Sequence, residues 1–413
     1  MSRTIHIIGA GLAGLAAAVK LSALGENVFI HEATSTAGGR CRSYHDHLIG
    51  MMIDNGNHLI LSGNTSALGY LRSIGAEHEL VGPATPEFPF FDVKSRERWT
   101  LAFNRGRIPW WIFDARKRVP ATRALDYLPM GRLLWARRHQ KVSDVMALRG
   151  NAYDRLLGPL LLAALNIEPP IGSASLAGAV IRETIARGGD ACRPLIASQG
   201  LSHTLVDPAV ALLAKRGATL RLDHQLHAIK CSDSMIETLY FGSDTITLAS
   251  HDAVILAVPP YTAAALLPGI ETPNSFRAIV NAHFRIDPPP DFAPITGVLN
   301  ATTEWLFAFP GRLSVTISAG DRLLSTPREE LAQTIWAEVA AVTGLDAPLP
   351  PWQIVRERRA TFAATPEQDA RRPKPATRWS NLVLAGDWTN TGLPATIESA
   401  IRSGDRAAAA IAV

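Results

Sequence analysis

Residues 5–8 form a short apolar run, 12–24 an Ala- and Leu-rich stretch that stops before Gly25, and 28–30 a second apolar run. Strand, helix and strand within thirty residues predict a βαβ opening and an α/β domain built on a parallel sheet. The same texture returns later. Residues 201–213 have helical periodicity, 219–222 and 226–229 read as strands, and 253–258 is a continuous apolar strand that stops at Pro259-Pro260. Near the end, 382–385 reads as a strand feeding a helix on which Ile397, Ala400, Ile401, Gly404, Ala407, Ala408 and Ile411 share one face. Two tracts look different. From 83 to 187 Trp, Arg and Pro mix with Leu-rich helical stretches, which predicts an inserted, mostly helical unit. Residues 276–375, with an alternating segment at 313–317, a helix near 329–342 and many prolines, predict a sheet as the second half of that insert. The expected layout is a discontinuous α/β domain of residues 1–82, 188–275 and 376–413, with an α+β substrate- and membrane-facing domain of 83–187 and 276–375.

Length and composition narrow this picture. At 413 residues, 47% apolar and 19% charged, the chain is a folded protein of two or three structural units, and disorder is excluded. The net charge of +4 is too thin to mark a nucleic-acid binder. Basic character is local: residues 104–141 carry ten Lys/Arg against two Asp. Cys41, Cys192 and Cys231 are far apart and form no C-x-x-C pair, which points to a reducing, cytoplasmic compartment and to no metal site. The nearly uncharged run at 5–19 imitates a signal peptide, but its glycine spacing assigns it to the fold. The longest other apolar stretch, 156–167, contains Gly158 and Pro159 and falls short of the roughly 20 residues of a membrane span.

Candidate chemistry begins in the first turn. Gly9-Ala10-Gly11-Leu12-Ala13-Gly14 is a G-x-G-x-x-G between a predicted strand and helix. Gly9 permits the turn, Gly11 lets the backbone approach a pyrophosphate, and Gly14 lets helix and sheet pack closely. The helix start at Leu12 and Ala13 then offers free N–H groups to phosphate. Glu32, followed by Ala33, ends the second strand where a carboxylate accepts hydrogen bonds from both ribose hydroxyls of an adenosine, and an acid there disfavours NADP. Gly38-Gly39-Arg40 adds a loop of exposed N–H groups and a guanidinium. At the other end, Gly386-Asp387 follows a strand and leads through Leu393-Pro394-Ala395-Thr396-Ile397 into a helix, with Pro394 suited to the first helical position. Two helix ends, one near each chain terminus, imply one long ligand. FAD fits: pyrophosphate at the first helix, ribityl hydroxyls on Asp387, and the flavin ring over the last helix, whose positive end favours the anionic reduced form. This is a Rossmann-type, GR2-like FAD-binding domain, and no cysteine near the C-terminal motif allows covalent attachment.

The set Glu32, Gly38-Gly39-Arg40 and Gly386-Asp387 resembles the amine oxidase and phytoene desaturase superfamily of flavoproteins. Within it, Asp54-Asn55-Gly56-Asn57-His58-Leu59 and the tract 384–404 are similar to the bacterial squalene-associated branch, which dehydroxylates hydroxysqualene in the hopanoid pathway. Ala164-Leu165-Asn166, Gln199-Gly200-Leu201 and Val206-Asp207-Pro208-Ala209 add agreement. Asn57 departs from the branch, whose pattern more often carries Gln. The resemblance implies non-covalent FAD held by these motifs, with Asn55, Gly56 and Asn57 beside the flavin. It also implies reductive dehydroxylation of hydroxysqualene to squalene by hydride from reduced flavin.

Asp54 and His58 are then the candidates for the polar, proton-handling end of the site. With no second G-x-G-x-x-G, electrons come from a visiting nicotinamide cofactor or another donor. A hydrocarbon substrate partitions into membranes, and the basic residues of 104–141 are interleaved with Trp110, Trp111, Phe113, Leu133, Leu134 and Trp135, a composition suited to an anionic bilayer surface. Peripheral association with the inner face of the cell membrane is expected, with upstream squalene-pathway enzymes as possible neighbours. The same motifs also fit a squalene or carotenoid desaturase running in the oxidative direction, an amine oxidase, or a non-catalytic prenyl-lipid carrier on the same fold.

Overall fold

The computed structural model describes residues 3–412. Five parallel strands lie in the order Thr219–Arg221, Asn27–His31, Thr4–Ile8, Ala253–Leu256 and Leu382–Leu384. Ile5, Ile7, Val28, Ile30, Ile255 and Val383 join the core on one face of this sheet. Ile8, Val254, Leu256, Leu382 and Leu384 join a second core on the other. Apolar residues on both faces explain why these segments read as continuous apolar runs rather than alternating ones.

The first core lies under two helices, Leu12–Ala23 and Ile397–Ile411, which pack at backbone distance: a Cβ on Gly404 would lie 2.2 Å from the Ala13 carbonyl oxygen. The predicted apolar face of the last helix is the buried one, apart from half-buried Ala400. Its start is not where Pro394 suggested. The helix begins at Ile397, and Thr396 is the cap, its hydroxyl accepting from the Ser399 N–H at 3.1 Å. A hydroxyl that accepts an otherwise free helical N–H sets the boundary more firmly than the favourable φ of a proline.

A second, seven-stranded sheet runs Trp352–Phe362, Phe276–Phe284, Arg312–Ile317, Trp305–Phe309, Ile295–Leu299, Glu87–Asp92 and Arg98–Ala102. All its pairings are antiparallel except that between Ile295–Leu299 and Glu87–Asp92. The early tract is therefore not uniformly helical, because Glu87–Asp92 and Arg98–Ala102 pair as an edge hairpin. Phe88, Phe90, Trp99 and Leu101 alternate into an aromatic core, a period that intervening Pro and Arg residues disguise. The helix Arg328–Thr343 covers the other face of this sheet through Leu331, Ile335, Trp336 and Val339.

Buried histidines stand out in this interior. His6 Nδ1 is 3.1 Å from His31 Nε2, His31 Nδ1 is 3.0 Å from His224 Nδ1, and His224 Nε2 is 3.2 Å from Asp244 Oδ2. An ionised carboxylate only accepts, so His224 donates to Asp244 through Nε2, and the rings of His31 and His6 continue the hydrogen-bonded row. Burial first, then the neighbouring His6 and His224, push His31 down to about 3. Burial and Arg312 push His283, which lies within the second sheet, down to about 3 as well. Unfolding returns both rings to their ordinary 6.5, so between about 3 and 6.5 the unfolded chain binds more protons and stability rises with pH. The melting temperature should fall steadily as pH is lowered from 7 to 4.5, each group contributing up to about 1.4 kcal/mol per pH unit in that window. Thermal melts across pH check this, and His283→Gln should flatten the slope.

Candidate flavin site

The turn after the first strand is shaped by close contact. Gly9 has φ +105°, and a Cβ there would lie 2.6 Å from the Ala257 carbonyl oxygen. A Cβ on Gly14 would lie 2.0 Å from the Gly9 carbonyl oxygen. Gly11 differs, because its Cβ position meets nothing within 4 Å. Two glycines close the turn and the middle one leaves free space at the helix start, as a pyrophosphate requires. The second glycine loop is laced to the first, with the Gly38 N–H donating to the Ala10 carbonyl at 2.8 Å.

Glu32 is buried beside this turn. Its Oε2 accepts from the Ala10 N–H at 2.8 Å, and its Oε1 accepts from the Thr34 N–H at 3.0 Å and hydroxyl at 2.9 Å. These bonds fix the carboxylate at the end of its strand, next to exposed Ala33. The site so built fits the adenosine half of FAD.

Arg40 and Asp387, from opposite ends of the chain, meet in one ion pair. Arg40 Nη2 lies 2.8 Å from both carboxylate oxygens, and Nη1 donates to the Ala360 carbonyl. Asp387 raises the Arg40 pKa further, so the guanidinium stays charged at any working pH. Gly386 has φ +139°, and a Cβ there would lie 2.4 Å from Trp388 Nε1. Only glycine allows the strand to turn there with the indole beneath it. The Gly386 N–H donates to Ser403 Oγ at 2.6 Å and Trp388 Nε1 to the Val258 carbonyl at 2.9 Å, which ties the loop to the last helix and to the turn after the strand Ala253–Leu256. Leu393, Pro394 and Ile397 are buried, with Ala395 and Thr396 half-buried at the helix mouth.

The segment 54–58 connects this cleft to the second sheet. Asp54 Oδ1 accepts from Ser43 Oγ at 2.6 Å and from the Leu201 N–H at 2.8 Å, and Oδ2 pairs with buried Arg312 at 3.3 Å. Both oxygens of Asp54 are thus engaged by protein. Asn55 Nδ2 donates to Glu357 Oε2 at 3.2 Å. Gly56 lies against Asn281, whose Oδ1 accepts from Thr316 Oγ1 at 2.8 Å. Asn57 turns into the sheet, where Nδ2 donates to Thr316 Oγ1 at 3.1 Å and to the Val315 carbonyl at 3.3 Å. His58 Nε2 is 4.0 Å from Cys41 Sγ, and burial pushes the imidazole down to about 4 and the thiol up to about 12.

Glu357, Asn281, Arg312 and Arg372 were not singled out from the sequence. Glu357, Asn281 and Arg312 meet partners far away in the chain, while Arg372 meets Asp369 three residues earlier and the loop 387–391. No group of His, Cys, Asp and Glu among the described residues has the arrangement of a metal site.

The family model of flavin containing amine oxidoreductases matches residues 12–412. A hydroxysqualene dehydroxylase of Rhodopseudomonas palustris is 58% identical over 99% of this chain and 98% of its own length. Another, from Sinorhizobium fredii, is 57% identical, with the same coverage of 99% and 98%. The solved cyclohexylamine oxidase of Brevibacterium oxydans superposes with a TM-score of 0.70 at 17% identity, covering 100% of this chain and 99% of its own, a likeness of fold. The glycine turn, Glu32 and the two helix starts fit an FAD, and with the family match the cofactor is FAD in a Rossmann-type domain carrying an α+β insert. By its sequence and by its fold, the chain belongs to the flavin containing amine oxidoreductases.

Proposed function

We infer that this flavoenzyme removes the allylic hydroxyl of hydroxysqualene reductively, giving squalene. The observation that carries the reading is the 58% identity, over 99% of the chain, to a hydroxysqualene dehydroxylase. Bound reduced FAD supplies the hydride for the allylic carbon. In the balanced step a C–H bond forms, the C–O bond breaks, and the hydroxyl takes one proton and leaves as water.

The chain's own residues hold the cofactor, position the carbon and deliver that proton. Glu32 and the glycine turn hold the adenosine and pyrophosphate, while Arg40, Asp387 and the start of the last helix hold the flavin half. Asp54 is committed to Ser43, Leu201 and Arg312, so its part is to brace the segment 54–58. His58 takes the chemical role of the pair: held neutral at pH 7, it passes a proton from solvent toward the departing oxygen without carrying a charge between turnovers.

The enzyme meets its substrate as a peripheral protein on the cytoplasmic face of the membrane. Among the described residues no helix is long and apolar enough to cross a bilayer. Of the exposed large apolar side chains, Ile108, Trp110, Phe113, Leu125, Leu128 and Trp135 all fall in the basic tract, Trp135 being 79% exposed. Arg105, Arg107, Arg116, Arg132 and Arg137 are exposed among them. Aromatic and basic groups on one surface suit anionic lipid headgroups. Trp111 and Leu133 are not part of this surface, because both are buried and Trp111 stands edge-on to Phe103 and Tyr127.

Three measurements test the reading. Anaerobic protein with FAD, a chemical reductant and hydroxysqualene should yield squalene; conversion of squalene by the oxidised enzyme instead would make it a desaturase. Glu32→Ala should weaken FAD binding by about ten-fold or more, read from the visible absorbance retained on purification. The protein should sediment with anionic vesicles in a salt-sensitive way, and the double change Trp110→Ser, Trp135→Ser should reduce the bound fraction several-fold. Equal binding to neutral and anionic vesicles at all salt concentrations speaks against the surface.

A further inference from the structure

Arg372 lies between the short helix Pro366–Ala370 and the strand Leu382–Leu384, and its side chain is fully buried. Nε and Nη2 donate to the Thr389 carbonyl at 3.0 and 2.6 Å. Nη2 also reaches the Asp387 carbonyl at 3.2 Å and Thr391 Oγ1 at 3.0 Å. Nη1 pairs with Asp369 at 2.9 Å, and Asp369 in turn meets Arg138 at 3.4 Å. Thr391 Oγ1 is 2.6 Å from Ser399 Oγ in the first turn of the last helix, and Ser399 Oγ donates to the Asp387 carbonyl at 3.3 Å. One guanidinium therefore joins the strand exit at 386–391 to the start of the helix at 397.

A buried ion pair does little for stability that well-packed apolar side chains would not do equally well. A guanidinium does what an apolar side chain cannot, holding several acceptors at fixed angles in one plane. Its acceptors here are the main chain and hydroxyl around Asp387. The Asp387 carbonyl and the Trp388 N–H belong to one planar trans peptide, so drawing the carbonyl toward Arg372 turns that N–H the opposite way. Asp387 is thus held between two guanidinium groups, Arg372 on its carbonyl and Arg40 on its carboxylate.

We propose that Arg372 is a positioning residue for the flavin, acting through Asp387, Thr389 and Thr391 to set where the Asp387 carboxylate and the first turn of the last helix meet the cofactor. The proposal rests on FAD occupying the cleft beside the Arg40–Asp387 pair. Arg372→Lys keeps the charge and loses the planar fork. Thr391→Val removes one acceptor and leaves the guanidinium in place.

Both variants are purified whole, stripped of flavin and titrated with FAD, and the reduction potential of the bound flavin is measured. Arg372→Lys should bind FAD about ten-fold more weakly, and Thr391→Val a few-fold more weakly. Both should shift the potential, while the flavin-free Thr391→Val protein melts close to wild type. Wild-type affinity and potential in both variants would overturn the proposal, and if Arg372→Lys does not fold, Thr391→Val decides alone. Wild-type protein that takes up no FAD would overturn the cofactor assignment itself, a separate result visible in the same titration.

Discussion

The helix Leu12–Ala23 touches backbone on two sides, and no side chain fits at either contact. On one side a Cβ on Gly14 would lie 2.0 Å from the Gly9 carbonyl oxygen; on the other, a Cβ on Gly404 would lie 2.2 Å from the Ala13 carbonyl oxygen. The first and the last helix are thus pressed together over the same face of the parallel sheet. This seam places Leu382–Leu384 at the sheet's end and brings its exit loop over the glycine turn. There Arg40 meets Asp387, 347 positions further along the chain. A methyl group at either glycine would separate layers that the rest of the site assumes are in contact.

Charge in the cleft is arranged in alternation. Arg40 faces Asp387, whose carbonyl faces Arg372, whose counterion is Asp369. Further toward the second sheet, Asp54 faces Arg312, and Asn281 and Thr316 hold the loop between them and the flavin half. Such pairs contribute little net free energy once desolvation is counted, but they fix geometry. His58, held neutral at pH 7 by burial, adds no unpaired charge among them.

The parts of this structure that were legible in the sequence are those whose physics is local. A strand, three glycines and an acid some twenty residues on define a nucleotide turn, because turn geometry and helix packing act over a few positions. Gly386-Asp387 before an apolar helical face was legible for the same reason. The hairpin at Glu87–Asp92 and Arg98–Ala102 was hidden by Pro89 and Arg98 within its strands, and the helix start after Thr396 by a proline two residues earlier. Arg372 stands beside a second arginine, and nothing in its local sequence marks it as buried. Asn281 and Glu357 have partners in 55–57, more than two hundred residues away, and only the folded chain brings them together.

The seam between the first and last helices also makes the cleft a property of the whole chain. The opening βαβ unit carries the glycine turn, but the partner of Arg40 stands at 387, and the helix that follows it is seated by Gly404 against the Ala13 carbonyl. A side chain at position 404 would therefore be felt at the Arg40–Asp387 pair through the backbone alone.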